Sequence, residues 1–234
     1  AILKRVKMSK FDGVNLDCTQ FWFSEDMYPL YVTFQQKLYG ELNKLKKKLI
    51  ITLFPYSESM QNIVNRPRYD YLSRYTDYSM IMSYDYIQYF QKDDVTATDL
   101  KNSPEKWILD TVDYYIDRKK KNSDELVGKL LAGYSFHGFI MDLTETRKLK
   151  GNILEGDKLL SICKIESTSD NYLNWNEVDK EYSANISNEE SSFRAVVPSI
   201  KSLNERIGLA EKIGLAGISI WEAGQGYDSW MEVL

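Results

Sequence analysis

The sequence predicts an α/β fold, a parallel sheet with helices packed outside it. Two short segments, Leu49–Phe54 (LIITLF) and Ser79–Tyr84 (SMIMSY), are nearly all apolar, as strands buried on both faces should be. Amphipathic helical segments separate most of the strand-like ones, and strand–helix alternation of this kind implies parallel strands joined by crossovers. No linker of biased composition divides the 234 residues, so the chain reads as one domain, 1–234.

Taken in order, AILKRVKMSK has the pattern of a helix entered midway. The first strand falls in Phe11–Thr19, where Val14, Leu16 and Cys18 share one face and Gly13, Asn15, Asp17 and Thr19 the other. Hydrogen-bonding groups on a buried face are costly unless they meet partners or a polar ligand. That row is either a strand end satisfied by neighbouring backbone or a functional position. Tyr28–Lys47 follows as a helix with Pro29 in its first turn and Leu30, Phe34, Leu38 and Leu45 on one stripe. The second strand is Leu49–Phe54; after the loop PYSESMQNIVNRP, Arg68–Tyr75 supplies a short helix, and Ser79–Asp85 is the third strand. Ser103-Pro104 reads as an N-cap with proline at the first helical position, continuing through Trp107–Lys119 to a fourth strand at Lys129–Ser135. Pro198–Ile213 is helical, with Ile200, Leu203, Ile207 and Ala210 on one face and Gly214 as its stop, and Ala216–Trp221 is the last strand.

Spacing is irregular between the fourth and last strands. Residues 139–193 are rich in Asn, Ser, Glu and Lys, with a short helix expected at Asp157–Lys164 and a strand-like piece near Tyr172–Val178. This stretch reads as an insertion carried on a loop. Five or six strands do not close an eight-stranded barrel. The sheet is therefore either open or the C-terminal part of a barrel whose first strands lie upstream of Ala1.

Composition excludes several classes. The net charge of −4 carries no nucleic-acid or polybasic membrane signal, and KLKKK and RKKK sit at predicted helix ends, where they complement the helix dipole. Cys18 and Cys163 make neither a disulfide framework nor a metal site by themselves, and leave the redox compartment open. No apolar run approaches a membrane span, the N-terminus is not a signal peptide, and neither a metal nor a cofactor is expected. The single sequon, Asn185-Ile186-Ser187, is weak evidence for secretion. Nothing in the sequence bears on oligomeric state.

In parallel α/β folds ligands gather at the C-terminal ends of strands. Those ends carry Asn15, Asp17 and Thr19; Phe54, Pro55 and Tyr56; Met82, Tyr84, Asp85 and Tyr86; Tyr134, Phe136 and His137; and Trp221 with Glu222. Carboxylates, phenols and an indole in this position suit a sugar, since aromatic faces cover its C–H patches while polar groups bind its hydroxyls. His137, the only histidine, reads as structural, and Glu222 should point away from the interior as a backbone or cap contact. Gly224-Gln225-Gly226 lacks a nearby Lys or Arg and reads as a loop turn rather than a phosphate site.

FDGVNLDCT resembles the strand-four signature of family 18 glycoside hydrolases, D-G-x-D-x-D-x-E, with Asp12, Gly13 and Asp17 on its positions. MIMSYD resembles the family's sixth-strand motif M-x-Y-D through Met82, Tyr84 and Asp85, and Trp221 falls where the eighth strand carries a sugar-stacking tryptophan. The end of the chain, FRAVVPSIKSLNERIGLAEKIGLA and GISIWEAGQGYDSWMEVL, is most similar to the saccharide-binding chitinase domain-containing branch. The resemblance implies a (β/α)8 TIM barrel of which this chain covers roughly the fourth to eighth βα units, with the insertion after the seventh strand. It also implies a secreted or lysosomal protein that binds an oligosaccharide, one containing N-acetylglucosamine, through Asp17, Met82, Tyr84, Asp85, Tyr134 and Trp221.

The departures from the motif bear on activity. In active members the last position of the signature is a glutamic acid that protonates the glycosidic oxygen, while the aspartate before it orients the N-acetyl group that attacks the anomeric carbon. Here the acid's position is Thr19, whose hydroxyl is no general acid, and the first inner aspartate is Asn15. The expectation is a saccharide-binding, catalytically disabled chitinase-like protein. The alternatives are a weak or atypical hydrolase that recruits Glu58 or Glu222, and a structural or protein-interaction role for a vestigial groove.

Overall fold

A computed structural model describes residues 1–57, 69–89, 100–143, 152–154, 161–162, 172–187, 189, 191–222 and 224–225. In chain order these form α1 (Ile2–Ser9), β1 (Gly13–Leu16), a 3-10 turn (Thr19–Phe23), α2 (Met27–Lys44), β2 (Lys48–Leu53), α3 (Tyr69–Leu72), β3 (Tyr78–Ile81) and α4 (Tyr86–Tyr89). There follow α5 (Glu105–Tyr115), α6 (Ser123–Val127), β4 (Leu130–Ser135), β5 (Gly138–Asp142), β6 (Asn152–Leu154), β7 (Tyr172–Asn176), β8 (Glu181–Ser187), β9 (Ser192–Val197), α7 (Ile200–Ile213) and β10 (Gly217–Trp221). The predicted parallel sheet is present, in the order β1-β2-β3-β4-β10. The chain divides into two compact units, one comprising Ala1–Met82, Asp110–Ala132 and Ala210–Gly217, the other Ser83–Leu109, Gly133–Leu209 and Ile218–Leu234.

In the first unit β1, β2, β3 and the start of β4 run parallel, pairing Val14 with Leu49, Ile51 with Ser79 and Met80 with Leu131. Gly13 permits the first of these pairings, because a Cβ there would stand 2.3 Å from the Lys48 carbonyl oxygen. Leu42, Leu49, Ile51, Leu53, Leu72, Ile81, Val112 and Leu130 have no exposed surface and form the core. The strand expected over Phe11–Thr19 is only Gly13–Leu16, since the chain turns into the 3-10 segment at Thr19.

Helix α2 lies where expected but rotated. Its buried stripe is Tyr31, Gln35, Leu38 and Leu42, whereas Leu30 is 61% and Phe34 42% exposed. Gln35 decides the rotation: its side-chain amide donates to the carbonyl oxygens of Leu72 at 3.0 Å and Tyr75 at 2.9 Å. A buried amide that meets its partners is cheap to bury, and a count of apolar residues misses it.

The second unit contains a five-stranded antiparallel sheet, in the order β6-β5-β9-β8-β7. Sequence composition anticipates only β7, the piece near Tyr172–Val178, and the polar residues of β8 and β9 conceal their strands. Ala184, Ala195, Val197 and Leu203 pack with Tyr134 and Phe136 into one apolar cluster, and Ile87, Leu100, Phe139, Met141 and Val196 form another. Helix α7 ends at Gly214, whose φ of 79° is the left-handed stop expected of it. Of the helix expected at Asp157–Lys164, all but 161–162 lies outside the described residues, as do Glu58, Cys163 and Gly226.

Buried charge braces this unit. Glu181 is 6% exposed, and its carboxylate accepts the backbone N–H of Asn102 at 3.2 Å and of Ser103 at 2.6 Å. Arg206, 1% exposed, donates through Nη2 to the carbonyl oxygens of Ser103 and Asp179. Lys101 pairs with Asp179 at 3.0 Å. These contacts fix residues 101–103, the segment that enters α5.

Candidate functional site

At the first unit's strand ends, Asn15 is exposed and its Oδ1 accepts from the Thr52 hydroxyl at 3.2 Å. Asp17 is exposed, while Thr19 is 6% exposed and opens the 3-10 turn. Burial, with the Asp17 charge adding to it, pushes the Cys18 thiol above its ordinary range, so a thiolate nucleophile is disfavoured there. Met82 is half-buried, its N–H bonded to the Leu53 carbonyl at 3.0 Å. Tyr56 leans on Tyr114, with ring centroids 5.4 Å apart.

The second unit holds the denser constellation. Asp85 follows β3 with a φ of 65°, a left-handed conformation that costs a non-glycine residue energy and needs outside support. Asn102 provides that support: its Oδ1 accepts the Asp85 N–H at 2.8 Å, and its carbonyl accepts the Tyr86 N–H at 2.9 Å. The same side chain donates through Nδ2 to the Ser135 hydroxyl at 2.7 Å and the His137 carbonyl at 2.8 Å. Asn102 is itself 3% exposed and held by Glu181. The segment after β3 and the corner between β4 and β5 are thus fastened to one amide.

That fastening brings two side chains together. His137 Nε2 lies 2.7 Å from Asp85 Oδ1, and Nδ1 lies 3.2 Å from the Gln225 amide oxygen. The imidazole is 3% exposed and the Asp85 side chain 23%, so the carboxylate is the part of the pair that meets solvent. Tyr84, 6% exposed, sets its ring edge-on to the imidazole with centroids 6.4 Å apart.

The remaining aromatic strand ends differ in exposure. Tyr134 is 3% exposed within an apolar cluster, and burial pushes its phenol up to about 12, so it stays protonated. Phe136 is fully buried, and Tyr86 packs edge-on against Trp107 at 5.2 Å. Trp221, by contrast, is 44% exposed at the end of β10, and its carbonyl accepts the Phe136 N–H at 2.8 Å. Glu222, next to it, is exposed. Sequence reasoning missed Asn102 and Glu181, which appear only as a polar residue before a helix and one charge in a polar stretch. Among the described residues, no cluster of His, Cys, Asp and Glu is arranged to hold a metal ion, and no helix is long and apolar enough to cross a membrane.

An α/β chain whose parallel strands end in carboxylates and aromatic residues is the architecture of a partial TIM barrel of the chitinase-like kind. The sequence profile of glycosyl hydrolases family 18 matches residues 1–226, and the chain belongs to that family. Solved structures share its fold at low identity. A chitinase from Chromobacterium violaceum aligns with a TM-score of 0.75 at 19% identity, over 99% of this chain and 68% of that one. The spore cortex-lytic enzyme SleL of Bacillus cereus aligns with a TM-score of 0.76 at 15% identity, over 99% of this chain and 51% of its own. The Group IV chitinase of Ostrinia furnacalis, solved in complex with allosamidin, gives a TM-score of 0.72 at 16% identity, over 99% of this chain and 69% of that one.

Proposed function

We propose that the protein binds oligosaccharides containing N-acetylglucosamine and does not hydrolyse them. The observation that carries the binding half is the pair of groups presented to solvent in the second unit. These are the Asp85 carboxylate, with its side chain 23% exposed, and the Trp221 indole, 44% exposed. A carboxylate accepts from sugar hydroxyls or an N-acetyl N–H, and an indole face covers the C–H patches of a pyranose. Met82 and Tyr84 precede Asp85 in its motif, Tyr134 is buried in an apolar cluster of the second unit, and Asp17 is the exposed carboxylate that the resemblance assigns to the same role. Chitin-type ligands fit the family, and the O. furnacalis chitinase was solved with allosamidin.

The non-hydrolytic half rests on Thr19. A buried hydroxyl occupies the signature position of the proton donor, and general-acid catalysis typically contributes about 10²–10⁴-fold. A secreted or lysosomal destination accompanies this reading. The test is titration of the protein with N,N′,N″-triacetylchitotriose, alongside an assay with an aryl chitobioside across the pH range. Binding by wild type that Trp221→Ala abolishes, with no turnover, supports the proposal. Absence of binding favours a structural or interaction role. Turnover that disappears on mutating Glu58 or Glu222 favours an atypical hydrolase.

A further inference from the structure

We infer that His137 is a positioning residue for ligand binding, holding the Asp85 carboxylate in the orientation in which its second oxygen meets the sugar. The inference rests on the proposed binding role of Asp85 and adds a residue outside the motifs that suggested it. A carboxylate only accepts, so the proton of the 2.7 Å bond is on His137 Nε2. That bond engages Oδ1 and leaves Oδ2 as the oxygen available to a ligand. The imidazole does not meet the ligand itself, being 3% exposed against 23% for the Asp85 side chain. Its own ring is fixed on several sides: Gln225 at 3.2 Å from Nδ1, Tyr84 edge-on at 6.4 Å and Phe139 edge-on at 5.4 Å between centroids.

Backbone and side chain are held together by one scheme. Asn102 fixes the Asp85 N–H and the His137 carbonyl, at 2.8 Å each, so the relative placement of the two residues is set before their side chains meet. A carboxylate free to rotate would spend part of its binding free energy on ordering; one already held by a charge-assisted hydrogen bond does not. His137 thus contributes to affinity without touching the sugar, as an orienting partner does for a liganding group.

His137 is the only histidine of the chain, so its imidazole signals need no assignment. In ¹⁵N-labelled protein the Nε2 proton should give a hydrogen-bonded, downfield-shifted resonance that moves upfield in Asp85→Asn, whose amide oxygen accepts without the carboxylate's charge, and that moves when triacetylchitotriose is added. In parallel, His137→Phe should weaken triacetylchitotriose binding by about tenfold or more. His137→Gln, which keeps an N–H donor, should recover most of that loss, and a purely packing role would favour Phe instead. Circular dichroism and denaturant unfolding identify any variant that fails to fold, and the resonance in wild-type protein tests the pair independently of it. If wild type binds and His137→Phe binds equally well, or if the Nε2 resonance ignores Asp85→Asn, the positioning role is refuted while the binding function stands. If wild type does not bind, the binding function fails and the positioning role falls with it.

Discussion

Asp85 and His137, 52 residues apart in the chain, meet through a 2.7 Å bond between Oδ1 and Nε2, and both are secured from behind by the side chain of Asn102. Asp85 ends the third parallel strand's motif, and His137 sits at the corner where β4 hands over to β5. The relationship gives the left-handed backbone at Asp85 a cause, since the N–H it turns inward meets the amide oxygen of Asn102.

Replacing that amide should therefore be costly. Asn102→Ala removes the acceptor of the part-buried Asp85 N–H and two buried donors, to Ser135 Oγ and His137 O, which keep their 3.2 Å bond to each other. Each buried group left unsatisfied costs about 1–3 kcal/mol, part of it recovered by water entering the space of the lost side chain. A net loss of about 2–4 kcal/mol in urea unfolding is expected. Saccharide binding should weaken as well, because the Asp85 backbone is no longer fixed against the His137 carbonyl. A change below about 0.5 kcal/mol, the level of an ordinary surface substitution, would show that Asn102 is not the brace described.

Glu181, which accepts the N–H groups of Asn102 and Ser103, makes stability depend on pH in the less familiar direction. Burial raises its carboxyl above the ordinary range, and Arg206 and the two N–H groups oppose that rise without cancelling it. The folded state therefore holds this proton at pH values where the unfolded chain has released it. Across that window the native state binds more protons, so unfolding free energy falls as pH increases from the ordinary carboxylate range upward. Urea unfolding at a series of pH values should show this decline in wild type and a shallower one in Glu181→Gln. Parallel slopes in the two proteins would contradict the assignment.

Residues that obey a single rule were readable from the sequence. β2 and β3 are apolar because both faces are buried, and Gly214 stops α7 because it adopts a positive φ. Residues that answer to a distant partner were not. Gln35 rotates α2 by bonding to carbonyls 37 and 40 residues away, and Glu181 braces Asn102 from 79 residues away. The antiparallel sheet hid for a related reason: Arg194 on β9 donates to both Ser183 and Asn185 on β8, so all three read as loop although they are strand. Strand ends pointed to Asp85 and His137 separately, and only the fold joined them.

Gly138 follows His137 at the start of β5, and a Cβ there would lie 2.2 Å from the Val196 carbonyl oxygen, which is backbone and has no freedom to move aside. Gly138→Ala must push β5 away from β9. Overpacking of this kind costs about 1–3 kcal/mol. The displaced strand carries His137 with it, so the downfield Nε2 resonance should broaden or shift in the variant. A wild-type spectrum with unchanged stability would mean that the pairing of Phe139 with Val196 tolerates the extra carbon.

The sequon offers a separate check. Asn185 lies within β8, between β7 and β9, where its Nδ2 donates to the Tyr172 hydroxyl at 2.5 Å and its Oδ1 accepts from Arg194 at 3.1 Å. A glycan on Nδ2 would break the first bond and crowd Tyr172 and Arg194, the cross-strand neighbours of Asn185. Folded protein from a secretory host should carry no glycan there, with the same mass as Asn185→Gln apart from the substitution. A glycosylated, folded species would overturn this placement.

Thr19 invites the most direct trial of lost catalysis, the substitution Thr19→Glu. The site gives two reasons to expect no chitinase activity from that change alone. Thr19 is 6% exposed, so a glutamate there must bury a larger, ionisable group, which destabilises unless it is protonated or finds a partner. Asn15 stands where the signature has its first inner aspartate, and its side chain is bonded to Thr52 at 3.2 Å. An amide passes no proton along a chain of carboxylates. Thr19→Glu should therefore lower stability by about 1–3 kcal/mol and leave aryl chitobioside turnover at background. The double variant Asn15→Asp with Thr19→Glu is the one in which turnover should first rise. Full turnover from Thr19→Glu alone would show that the carboxylate at position 15 is dispensable and that one residue separates this chain from an active hydrolase.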